Sequence, residues 1–159
     1  VTVGQINPQR PTNLKRDVGT EGPHTIAVTD EGIAYSWGTC HKGMLGNMRD
    51  KILAYDGDEL LPYRIGSAFR DFPGDGKDSG YLADSTVVQG AASSIHSAVL
   101  DSAGDVYSFG CGSTGRMGVK KFMTGLSGGR SRMKCYISAP TLVEAFREQD
   151  VHVLGIGTA

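Results

Sequence analysis

The chain has 159 residues, the length of one domain, and its 39 % apolar and 21 % charged residues exclude a disordered tail. Lys and Arg number 16 against 17 Asp and Glu, so the net charge of −1 gives no bulk affinity for nucleic acid or acidic lipid. Gly accounts for 23 residues, about twice its usual share, and no apolar run approaches the ~20 residues of a membrane helix.

High Gly, short β-branched and aromatic runs and frequent turn dipeptides predict an all-β protein. The longest helix-friendly stretch, Leu142 to Arg147, is too short to anchor a helical bundle. In chain order, a first strand is expected over Lys15 to Val18. His24 to Thr29 alternates like a strand, Asp30-Glu31-Gly32 turns, and Ile33 to Trp37 returns. A mixed-charge insertion, Asn47 to Leu60, precedes a short strand at Leu61 to Ile65. A second insertion, Gly66 to Asp84, leads to a strand at Thr86 to Gln89. The hairpin then recurs: Ile95 to Leu100, a turn at Ser102-Ala103-Gly104, and Val106 to Phe109. The last strands expected are Ala139 to Val143 and Val151 to Leu154. Pro62 and Pro140 lack a backbone donor, so they belong at the start or the outer edge of a sheet.

The recurrence is a true internal repeat. Gly19 to Gly46 lies over Ala91 to Gly118 without a gap, at an offset of 72 residues. His24 falls on His96, Gly32 on Gly104, Tyr35 on Tyr107, Ser36 on Ser108 and Gly38 on Gly110. Gly43 falls on Gly115 and Gly46 on Gly118, while Trp37 meets Phe109, Thr25 meets Ser97 and Leu45 meets Met117. The apolar alternation stays in phase throughout. Four short strands per unit is the pattern of a propeller blade.

These residues resemble the RCC1-type repeat, the family of the regulator of chromosome condensation. Its signature is a His before an apolar strand, a turn Gly, Tyr-Ser/Thr-Trp-Gly, and a Gly-x-Leu-Gly loop. The chain departs from it at Phe109 and Met117 and in its long insertions. WD40 blades would need a Gly-His plus Trp-Asp pairing and Kelch blades a double Gly before their aromatics, and neither pattern occurs. The resemblance implies an all-β partial propeller of four-stranded antiparallel blades. Residues 1–84 would form a first blade, 85–150 a second, and 151–159 the first strand of a third. Two blades cannot close a ring, so the chain is expected to be a segment of a longer protein.

Repetition marks His24, Gly32, Tyr35, Trp37, Gly38 and Gly46, with His96, Gly104, Tyr107, Phe109, Gly110 and Gly118, as architectural. Each imidazole is expected to bond backbone inside its own blade. Leu126-Ser127-Gly128-Gly129-Arg130 imitates an ATPase signature, but no phosphate-binding Gly-x-x-x-x-Gly-Lys-Ser/Thr accompanies it. Gly155-Ile156-Gly157 imitates a dinucleotide loop without the third Gly. The acidic stretches Asp56 to Glu59 and Asp71 to Asp78 lack calcium-ligand spacing. No catalytic constellation emerges, so neither enzyme activity nor a cofactor or metal is expected. Cys40, Cys111 and Cys135 cannot all pair and lack C-x-x-C spacing, which fits reduced thiols and an intracellular setting.

One insertion is chemically one-sided. Between Arg116 and Lys134 lie Arg116, Lys120, Lys121, Arg130, Arg132 and Lys134 with no acid among them. Such a stretch is a candidate partner-binding surface for an acidic protein or a phosphate backbone. Two functions follow from the resemblance. One is a non-catalytic scaffold whose partners are the rest of its propeller and a larger protein complex, with no membrane contact. The other is a chromatin-associated guanine-nucleotide exchange factor for the Ran GTPase, with a small GTPase or nucleic acid as partner.

Overall fold

A computed structural model describes residues 2–3, 23–39, 43–47, 58–66, 82, 84–112, 115–119 and 136–157. Its strands are β1 (Thr2–Val3), β2 (His24–Val28), β3 (Ala34–Thr39), β4 (Asp58–Arg64), β5 (Val87–Ala92), β6 (His96–Asp101), β7 (Val106–Cys111) and β8 (Tyr136–Leu142). Among the described residues a short helix, α1, spans Glu144–Glu148. The strands form two four-stranded antiparallel sheets, ordered β1-β2-β3-β4 and β5-β6-β7-β8. This is the partial propeller that the repeat predicts.

The two hairpins are register-identical. His24 pairs Gly38 and Thr25 pairs Trp37 in the first, and His96 pairs Gly110 and Ser97 pairs Phe109 in the second. The outer strand slips at the same place in each, between Ser36 and Gly38 and between Ser108 and Gly110. All eight repeat glycines at the matched positions 32, 38, 43, 46, 104, 110, 115 and 118 have positive φ. That shared conformation is why Gly recurs there: an L side chain is disfavoured in the left-handed region. Turn chemistry is conserved in role though not in residue. Ile33 N–H donates to Thr29 Oγ1 at 3.0 Å, and Asp105 N–H donates to Asp101 Oδ1 at 2.9 Å. Each side chain closes its hairpin by mimicking a backbone turn.

The core lies mainly between the sheets. Ile26, Ala34, Ile65 and Leu82 from the first meet Val87, Ala92, Val99, Phe109 and Met117 from the second. The period of two in β6 sends Val99 to this seam and Ala98 and Leu100 to the opposite face. There Leu100, Val106 and Val143 gather Ala98, Phe146, Val153 and Ile156.

Several boundaries differ from the sequence reading. The outermost strands start earlier than expected, at Asp58 and Tyr136, because they pair with the last residues of β3 and β7. Pro62 and Pro140 fall inside them, tolerated because each strand ends its sheet. The inner strand β5 runs Val87–Ala92 rather than Thr86 to Gln89. Lys15 to Val18 lies outside the described residues, and the innermost position of the first sheet is held by Thr2–Val3. No strand forms over Val151 to Leu154. Val153 N–H nevertheless donates to the Gly104 carbonyl at 3.4 Å, as Val87 N–H does to Gly32 at 2.9 Å. Val153 thus stands where Val87 opens β5, two residues later than the sequence suggests.

Candidate functional site: the blade junction and its rim

The repeated polar residues tie strands to loops, and those of the first repeat, His24 and Ser36, lie on the face turned to the seam between the sheets. Ser36 donates its hydroxyl proton to the Leu45 carbonyl at 2.6 Å, and Ser108 does the same to Met117 at 2.7 Å. Each serine ties its strand to its own Gly-x-Leu/Met-Gly loop. The first loop also reaches the second blade. A Cβ on Gly43 would stand 2.6 Å from both the Ile137 carbonyl oxygen and the Ser138 Cα, so backbone lies against backbone and only Gly fits.

His24 crosses the seam. Its Nε2 lies 2.6 Å from Ser97 Oγ, and Ser97 donates its only proton to the Met44 carbonyl at 2.8 Å. Ser97 must therefore accept from His24, which places a proton on Nε2. His24 Nδ1 is buried and has no partner among the described residues. The expectation that each imidazole bonds backbone inside its own blade is corrected here. His24 shares a strand face with Ile26, which looks onto the second sheet, so its partner lies across the seam. His96 instead meets Ser93 Oγ through Nδ1 at 2.5 Å, within its own blade. The sequence did carry a signal for Ser97: a hydroxyl residue, Thr25 or Ser97, follows each of the two repeat histidines, His24 and His96.

Burial lowers the His24 pKa from 6.5 to about 4, with a smaller contribution from His96. The His96 pKa is also lowered, by burial first and then by Arg116. A depressed folded-state value means that the unfolded chain binds a proton the folded chain refuses. Above pH 6.5 the junction has its full stability; between about 6.5 and 4 stability falls, losing about 3 kcal/mol for His24. Denaturant midpoints measured from pH 7 to pH 4 should show this decline. In His24→Asn the slope should shrink to what His96 contributes; an unchanged slope would remove His24 from the account.

The remaining predicted residues take simpler places. Phe109 is fully buried in the seam, whereas Tyr35, Trp37 and Tyr107 are half-buried. Tyr107 OH lies 3.4 Å from Ser85 Oγ. Of the basic cluster, Arg116 is exposed in the Gly115–Gly118 loop. Lys120, Lys121, Arg130, Arg132 and Lys134 lie outside the described residues.

Two contacts at the rim were not legible in the sequence. Arg147 on α1 forms a two-pronged ion pair with Asp105, Nε donating to Oδ1 at 2.8 Å and Nη2 to Oδ2. That hydrogen bonding holds the Asp105 carboxyl below its ordinary pKa. Gln89 pairs by its side-chain amide with the backbone of Ile156, Nε2 donating to the carbonyl at 2.7 Å and Oε1 accepting from N–H at 3.1 Å. It holds the segment after Val153 beside β5, as a neighbouring strand would be held.

Grooves at the hairpin turns repeat as well. One of about 210 Å³ is bordered by Glu31, Arg64, Asp84 and Thr86; the other, of about 290 Å³, by Asp105, Arg147, Asp150 and His152. Both fall short of a typical small-molecule pocket. Among the described residues, no group of three His, Cys, Asp or Glu is placed to hold a metal ion, and no helix is long and apolar enough to cross a membrane.

No family model matches the chain. It is similar to a bifunctional serine/threonine-protein kinase/NEDD4-like E3 ubiquitin-protein ligase of Dictyostelium discoideum, with 27 % identity over 135 residues. That match covers 85 % of this chain and 6 % of the relative. Among solved structures it resembles yeast RCC1 (Prp20) bound to Kap60, with a TM-score of 0.57 and 19 % identity, covering 86 % of this chain and 26 % of that one. It also resembles Prp20p from Saccharomyces cerevisiae, solved in work on its binding to Gsp1p and histones. There the TM-score is 0.51 and the identity 22 %, covering 75 % of this chain and 24 % of that one. The chain therefore spans about a quarter of these solved propellers. With two four-stranded antiparallel sheets packed through the Gly43 loop, the chain has the RCC1-like β-propeller fold in part.

Proposed function

We propose that the chain supplies blades to a non-catalytic RCC1-like scaffold that works inside the cell and assembles with other proteins. Residues 1–84 and 85–150 are read as the two blades, and 151–159 as the start of another. One observation carries this reading. The repeated polar residues His24, Ser36, Ser97 and Ser108 are all engaged in holding strands, loops and blades together. What differs between the repeats is the insertions, and loops on a rigid scaffold are where partners bind. The match to a small part of a much longer Dictyostelium protein suits a module carried within a larger chain.

The alternative is nucleotide exchange on the Ran GTPase, which would need contacts rather than a catalytic centre. Release of a fluorescent guanine nucleotide from Ran, with and without the full-length protein, separates the two. The scaffold reading expects no acceleration, and a marked one would replace it.

The basic stretch from Arg116 to Lys134 is the partner surface we favour. Replacing Lys120, Lys121, Arg130 and Arg132 with Ser should weaken assembly with the native complex. A nucleic-acid partner would show a flatter salt dependence, by ~0.9 log unit of slope per lost duplex phosphate contact. An acidic protein partner would show mainly slower association. Unchanged binding at every salt concentration would make the stretch a solvated insertion.

A further inference from the structure

One end of the seam holds a buried polar chain with an unpaired terminus. His24 at the start of β2, Ser97 on β6, and Met44 and Leu45 in the Gly43–Asn47 loop are all fully buried. Protons are donated in order from His24 Nε2 to Ser97 Oγ to the Met44 carbonyl, so the chain crosses to the second sheet and returns to the loop of the first. His24 Nδ1 ends it, buried and without a partner among the described residues. The second repeat differs there, since His96 Nδ1 lies 2.5 Å from Ser93 Oγ. The loop is also packed apart from the main core. Met44 and Leu45 form an apolar cluster of their own, separate from the one that Ile26, Val99 and Phe109 share. Two hydroxyls tether its carbonyls, Ser97 on Met44 and Ser36 on Leu45.

We infer that this end of the seam is an acid-sensitive latch: a second proton on His24 releases the Gly43–Asn47 loop from the second sheet while the strands of both sheets stay paired. An imidazolium has to donate from both ring nitrogens. Nε2 already donates to Ser97, but a proton added at Nδ1 meets no acceptor among the described residues, and a buried unpaired charge is costly. The surrounding elements do not offset that charge. β1, β3 and β5 carry no charged residue, and neither does the Gly43–Asn47 loop. β6 brings His96, which disfavours a charge on His24, and has its Asp101 only at the far, hairpin end. Arg116 acts in the same sense on His96. The cation therefore has to reach water, and the loop is the least costly cover to move. Its release gives up two hydroxyl contacts and a two-residue cluster, whereas parting the sheets would expose Ile26 and Phe109.

The test is amide hydrogen exchange of the full-length protein at pH 7 and pH 5, corrected for the chemical exchange rate. With a His24 pKa of about 4 when the latch is closed and 6.5 when it is open, opening should be favoured about 20-fold at pH 5 over pH 7. Gly46 N–H donates to the Gly43 carbonyl at 3.0 Å and Gly66 N–H to the Gly46 carbonyl at 3.2 Å, and both should lose protection by that factor. The β6–β7 ladder should keep its protection. In His24→Gln, whose amide can still donate to Ser97 but takes up no proton, the loop amides should hold at both pH values. Loop amides that stay protected at pH 5, a loss shared equally by the β6–β7 ladder, or a loss that persists in His24→Gln overturns the latch. Ring-nitrogen NMR of the wild type needs no variant: His24 should carry its one proton on Nε2 at pH 7 and become a cation only as Gly46 and Gly66 are released. A doubly protonated His24 beneath a protected loop overturns it as well.

Discussion

The 159-residue chain, diluted until it is monomeric, will show no cooperative thermal transition. Among the described residues its two sheets meet at one seam, and each also has a face with no described sheet against it. Leu60, Leu61, Val88, Val151 and Leu154 are all exposed. Ordering costs about 1.5 kcal/mol per residue, and one seam between small sheets buries too little apolar surface to offset it over the whole chain. Calorimetry over a dilution series is the measurement, since a transition that arises from association shifts with concentration. A cooperative transition independent of concentration, on a chain shown to be monomeric, would contradict the stacking account of its stability.

Phe109→Ala will destabilise the assembled protein by about 3–5 kcal/mol, a large part of the stability of an ordinary domain. Phe109 is fully buried in the seam. A Cβ on Gly46, in the loop of the other blade, would lie only 3.0 Å from its ring edge and from Ile65 Cγ2. The ring thus fills the space that Gly46 leaves, and truncating it opens a cavity between blades that neither sheet can close alone. Phe109→Leu should cost less, since part of the volume is retained. Phe109→Trp would restore the residue found at position 37 yet still destabilise by about 1–3 kcal/mol, because the tight Gly46 contact leaves no room for a larger ring. Denaturant midpoints of the assembled or full-length protein should rank wild type highest and Ala lowest. An Ala variant as stable as wild type would mean that the seam carries no stabilising weight.

The sequence alone determined the repeating unit. Its hairpins, turn glycines and Gly-loops depend on local conformation: period-two alternation, side chains such as Asp101 closing turns, and positions where only Gly accepts positive φ. Such signals act over a few residues, so they survive in the linear text and recur at a fixed offset. Tertiary structure alone decided who meets whom. His24 finds Ser97, Gly43 lies on Ile137, Gln89 grips Ile156, and Arg147 on α1 reaches Asp105. Each of these pairs is separated by tens of residues; the first two are set by the stacking of one sheet on the other, and the last two by how the chain after β8 folds back on the second sheet. The same cause explains Val151 to Leu154. Its residues read as a strand, but a strand exists only where a neighbouring backbone accepts its hydrogen bonds, and beyond Val153 the described residues offer mainly the side chain of Gln89.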